Sequence, residues 1–107
     1  MIVRNDDVKL SDLGKGVCRK VLAHVPSIMM VEVNFVKGAV GDIHQHVHEQ
    51  ISYIIKGSFE VSIDDKKEIV KAGDTFYVNP NVPHGVFALE DATILDVFTP
   101  QREDFLK

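Results

Sequence analysis

Nowhere in this chain do apolar residues recur at the 3.6-residue spacing that would lay a stripe along a helix. Short runs rich in Val, Ile, Met and Phe are instead broken every few residues by Gly, Pro, Asn or Asp. Branched and aromatic side chains fit the pleated surface of a sheet. The pattern predicts strands over residues 17–24, 28–37, 51–56, 58–63, 68–71, 75–78, 84–89 and 92–98. Pro26-Ser27, Gly38-Ala39-Val40-Gly41-Asp42, Gly57, Asp64-Asp65-Lys66-Lys67, Ala72-Gly73-Asp74, Asn79-Pro80-Asn81-Val82-Pro83 and Glu90-Asp91 are the turns between them. Many short strands with frequent turns point to an all-β sandwich or barrel. With 107 residues there is material for one domain around one core. Residues 1–16 are read as an entry arm with little regular structure or one edge strand, 17–99 as the barrel, and 100–107 as a tail with a helical turn or arm.

Within the 28–37 run, Met29, Val31, Val33 and Phe35 share one face, and Met30, Glu32 and Asn34 share the other. That second face reads equally as the lining of a cavity or as a solvated outer surface. The stretch Gly41-Asp42-Ile43-His44-Gln45-His46-Val47-His48-Glu49-Gln50 holds three of the five histidines. Alternate side chains on a strand point the same way, so His44 and His46 are expected to share a face. Paired imidazoles are a start for a metal site. His48 has the same parity only if the strand runs on unbroken.

The spacing of glycines and histidines matches a known pattern. Gly38, five residues, His44, one residue, His46, three residues, Gln50, six residues and Gly57 resemble the first motif of the cupin family, with Gln50 where Glu is usual. The stretch from Gly73-Asp74 to Pro83-His84 resembles the second motif. There Asn79, Asn81 and Ala88 replace the usual Pro, Gly and Asn. Asn tolerates the left-handed backbone better than other non-glycine residues, so Asn81 can take that turn. The resemblance implies a cupin double-stranded β-helix, a jelly-roll-like barrel. It also implies one divalent transition metal ion (Zn, Ni, Mn or Fe) on His44, His46, Gln50 and His84. An amide at position 50 leaves the ion's charge undiminished, which favours Lewis-acid chemistry and an anionic substrate. His48 is expected at the pocket mouth, Glu49 as a surface carboxylate or a partner of the ligands, and His24 as structural or exposed.

Further stretches resemble the KdgF proteins of pectin and alginate breakdown: Met29-Met30-Val31-Glu32-Val33, His46-Val47-His48-Glu49-Gln50-Ile51-Ser52-Tyr53, Leu95-Asp96-Val97-Phe98-Thr99-Pro100 and Arg102-Glu103-Asp104-Phe105-Leu106. The resemblance implies conversion of 4,5-unsaturated monouronates to open-chain keto acids, with Asp96, Phe98 and Arg102 as the catalytic residues. These types suit the chemistry. A carboxylate in a cavity transfers protons, Arg102 can grip a carboxylate, and Phe98 can pack on a sugar face. The plain alternatives are an exposed edge aspartate, a core phenylalanine and a surface arginine. Two other functions stay open: a metal oxygenase, or a non-catalytic sugar- or metabolite-binding protein.

The net charge of −4 comes without a Lys/Arg cluster, which argues against nucleic acid. No apolar run is long enough to span a bilayer. Cys18 is alone and no signal peptide is visible, which points to a reducing, cytoplasmic setting. A homodimer is implied by the cupin resemblance.

Overall fold

The computed structural model describes all 107 residues. It contains ten strands: β1 (Ser11–Gly14), β2 (Val17–Val25), β3 (Ile28–Phe35), β4 (Val40–His44), β5 (Glu49–Lys56), β6 (Ser58–Ile63), β7 (Lys66–Lys71), β8 (Thr75–Val78), β9 (His84–Ala88) and β10 (Ala92–Thr99). They form two antiparallel sheets. One runs β1-β2-β3-β10-β5-β8 and the other β4-β9-β6-β7. Single turns of 3-10 helix lie at Asn5–Asp7 and Glu103–Leu106. The entry arm therefore does supply an edge strand, and the tail a helical turn.

The turns meet their local demands. Asp64 and Asp65 both have positive φ and reverse the chain between β6 and β7. Gly57 has φ +77, and a Cβ there would sit 2.5 Å from the carbonyl oxygen of Asp91, so no other residue fits. Asn81 adopts φ +65.

Cross-strand register defines the inner face of the larger sheet. One row is Arg19, Val33, Ile94 and Ile54; the next is Val21, Val31, Asp96, Ser52 and Phe76; the third is Met29, Phe98, Gln50 and Val78. The rows change character along the barrel. At one end Phe35, Ile54, Phe59, Val61, Ala88, Ala92 and Ile94 pack into an apolar core, with the Phe35 and Phe59 rings edge to face at 5.1 Å. Full burial of such a side chain contributes about 1.5–3 kcal/mol. At the other end the buried residues include Gln50, Ser52 and His84.

The larger sheet decides the inner face of β5 and β3, and β5 departs from a simple polar-out reading. On β5 the polar Gln50 and Ser52 point inward, and Ile51, Tyr53 and Ile55 are exposed. On β3 the face with Met30, Glu32 and Asn34 is the outer one, so it lines no cavity. Glu32 there accepts hydrogen bonds from Asn5 and Asn34.

Candidate metal centre and its cavity

The histidine stretch is not one strand. β4 ends at His44, residues 45–48 are a loop, and β5 starts at Glu49. His44 closes β4 and His46 follows two residues on, while the chain bends only at Val47-His48, so His48 does not continue the line of the first two. His84 opens β9 directly opposite His44. His46 is held from the second turn, where the Asn81 backbone N–H donates to its carbonyl at 2.7 Å. The positive φ at Asn81 thus helps fix His46.

The three rings lie with centroids 4.5 Å (His44–His84), 4.8 Å (His46–His84) and 5.4 Å (His44–His46) apart. One nitrogen from each lies within 4.8 Å of the other two. In each ring Nδ1 faces a backbone carbonyl: Asp42 at 2.8 Å for His44, His48 at 3.1 Å for His46, Val82 at 2.8 Å for His84. A carbonyl only accepts, so Nδ1 carries the proton and Nε2 a lone pair. The Nε2 of His84 is buried with no partner. The Nε2 of His46 faces Gln50 Oε1 at 3.0 Å. The Gln50 amide is oriented by its NH₂ group, which donates to Ser52 Oγ at 3.0 Å and Asp96 Oδ1 at 3.3 Å. Two acceptors therefore face each other beside an orphaned third, and a cation would satisfy all of them. Burial holds His46 below the ordinary imidazole value, with Arg102 adding to the effect, and pulls His84 down to about 4. Both rings are neutral at neutral pH, the form that ligates. His44, His46, Gln50 and His84 fit a divalent transition metal.

His48 lies outside this cluster, its ring edge against His46 and Phe98. Glu49 points to the outer face, where Tyr77 Oη and Thr99 Oγ1 donate to it. His24 meets Gln101 at 3.0 Å and ties β2 to the tail.

Behind the histidines a cavity of about 180 Å³ opens between the sheets, lined by Arg19, His44, Gln50, His84, Asp96, Phe98, Arg102 and Phe105 among others. That is enough space for one small molecule. Asp96 accepts from Ser52 Oγ at 2.6 Å and from Gln50. Burial pushes its carboxyl up to about 6, against the lowering effects of Ser52, Arg102 and Gln50. A group poised there can both take and give a proton near neutral pH. The Asp96–Ser52–Gln50–His46 chain connects it to the imidazoles. The Phe98 ring is buried 5.6 Å from that of His46, and the Arg102 guanidinium lies 5.1 Å from the Phe98 centroid. Arg102 is already engaged: its Nε and one Nη form a fork on Asp104 at 3.1 and 2.9 Å.

Two cavity residues, Arg19 and Phe105, and Ser52 behind Asp96 are not expected from the sequence. Ser52 had a signal, since it shares parity with Gln50. Arg19 had one too, standing between Val17 and Val21 on one face of a strand. Phe105 had none.

The sequence pattern of the cupin domain matches residues 31–98. The chain is 44% identical over 104 residues to the pectin degradation protein KdgF of Dickeya dadantii, covering 95% of this chain and 94% of that one. KdgF from a Halomonas species superposes with a TM-score of 0.94 at 39% identity, covering 98% and 97% of the two chains. An RmlC-like cupin from Shewanella frigidimarina gives a TM-score of 0.94 at 36% identity, covering 97% and 94%.

Proposed function

The chain belongs to the cupin family, among its KdgF-like members, and on that premise we propose that it linearises 4,5-unsaturated monouronates released in pectin or alginate breakdown. The observation that carries the reading is Asp96, a half-buried carboxyl on the wall of one small cavity, joined through Ser52 and Gln50 to the three-histidine cluster.

The reaction is an isomerisation, so no atoms are gained or lost. A proton leaves the anomeric hydroxyl, C1 becomes an aldehyde as its bond to the ring oxygen breaks, and that bond's electron pair stays on the oxygen as an enolate. A proton then adds at C4 and the enolate becomes a ketone. Asp96 is the residue that takes and returns these protons. With its carboxyl near pH 6, neither direction of transfer is strongly uphill at neutral pH. Such positioned transfer is worth about 10²–10⁴-fold. Ser52 and Gln50 hold the carboxyl in place. Phe98 packs on the sugar face, and Arg102 holds the substrate carboxylate on exchanging partner from Asp104. His44, His46, Gln50 and His84 would hold the metal, which would supply a Lewis acid to polarise a substrate oxygen.

The exposed Met30, Ile51, Tyr53, Ile55 and Tyr77 stand together on the outer face of the larger sheet. An apolar face of this kind supports pairing with a second copy. The unpaired Cys18 supports a reducing, cytoplasmic setting.

Metal-loaded protein mixed with 4,5-unsaturated galacturonate should accelerate loss of the enol-ether ultraviolet absorbance over buffer. No acceleration would sink the reading. Oxygen uptake with a phenolic or thiol substrate would move it to an oxygenase.

A further inference from the structure

Arg19 has no role in the proposed chemistry so far, yet its place is unusual. It projects from β2 onto the inner face, in the row of Val33, Ile94 and Ile54. Inward-facing arginines in an apolar row are rare unless paired. This one forms no ion pair, and its Nε is buried without an acceptor. What holds it is a ring: its guanidinium lies 3.8 Å from the centroid of Phe105. The same ring carries Arg102 at 4.2 Å, so Phe105 lies close to two guanidinium groups. The nearby carboxylate, Asp104, is forked onto Arg102 and acts on Arg19 only through space, without an ion pair. The turn Glu103–Leu106, which brings in Phe105, thereby sets an unpaired cation on the cavity wall.

We propose that Arg19 is a specificity-determining residue: it binds the carboxylate of the sugar acid and makes the cavity select acids over neutral sugars. An unpaired guanidinium offers donors in a fork that matches a carboxylate. A buried donor without an acceptor is costly, and a ligand oxygen relieves it. Stacking on Phe105 holds the group ready, so little freedom is lost on binding. Arg102 can stay on Asp104 while the first contact forms, and the two cations flank one anion. The inference rests on the uronate reading above, and the closing experiment separates the two.

Binding of galacturonate and of galactose to the metal-loaded protein is measured by calorimetry for the native protein, Arg19→Met and Arg19→Lys, alongside turnover of 4,5-unsaturated galacturonate. Met keeps the packing of the stem, and Lys keeps the charge without the fork. The native protein should prefer galacturonate. Arg19→Met should lose that preference by about 10- to 100-fold, the loss of a charge-assisted hydrogen bond, with KM raised in proportion and kcat changed far less. Arg19→Lys should recover part of it. Metal content and thermal midpoint near the native values establish that the variants fold. Turnover by the native protein with KM and acid preference unchanged in Arg19→Met overturns the role of Arg19 and leaves the uronate reading intact. Acid preference that disappears in Arg19→Met, without turnover by the native protein, upholds Arg19 and overturns the linearisation reading. Neither preference nor turnover overturns both.

Discussion

Replacing Asp96 by Asn should make the metal-free protein more stable, and only at neutral to alkaline pH. Burial raises the Asp96 carboxyl from its ordinary 3.8 to about 6. The folded state therefore holds this proton more tightly than the unfolded chain does. Stability tied to the group is greatest below pH 3.8 and falls as pH rises, with the full loss reached above pH 6. Each pH unit between the two values corresponds to about 1.4 kcal/mol, which gives a ceiling of about 3 kcal/mol. Access from the cavity reduces that, so about 2 kcal/mol is expected. Asn keeps the shape, and its Oδ1 still accepts from Ser52, but it has no charge to bury. The assay is urea unfolding of both proteins after chelation, at pH 4.5 and pH 8. His46 and His84 titrate alike in both, so their effect cancels in the difference. The variant should gain about 2 kcal/mol at pH 8 and much less at pH 4.5. Equal stability at pH 8, or a gain independent of pH, would refute the claim that burial of this carboxyl is strained. The same variant should lose linearisation and keep its metal, because Asp96 is a proton carrier and no ligand.

His84→Ala should do the opposite and empty the site: elemental analysis should find little metal, and chelator should no longer lower the thermal midpoint. In the native protein, chelation should lower it by several degrees, since metal at 100 times its Kd stabilises by about 2.7 kcal/mol. Ile51→Glu combined with Tyr53→Lys places charges on the exposed apolar face; sedimentation should then report a monomer where the native protein sediments as a dimer, and a native monomer would remove the pairing proposal.

The candidate site was partly legible. His44, His46, Gln50 and His84 were readable because turn chemistry and spacing repeat a known pattern. What spacing does not show is that His46 lies just beyond the end of β4 and is pinned there by Asn81. The inward turn of Gln50 and Ser52 was harder to see. Ile51, Tyr53 and Ile55 are the more apolar set, and polarity alone would have buried them. Arg19 was visible only as a charge among valines, with nothing to say what it faced.

The sequence by itself determined most of the strands and turns and the ligand types, because backbone geometry at Gly57, Asp64, Asp65 and Asn81 is a local property; the turn expected over residues 38–42 instead gives its last three residues to β4, and that expected over 64–67 its last two to β7. It also carried the family pattern from which the histidines were picked. Only the tertiary structure decided which face of each strand is inner, since parity is relative until a second sheet closes over one side. It alone brought Arg19, from near the start of the chain, to one cavity with Asp96 and Phe105 from its end, because their meeting depends on register across β2, β3 and β10 and on where the tail folds back.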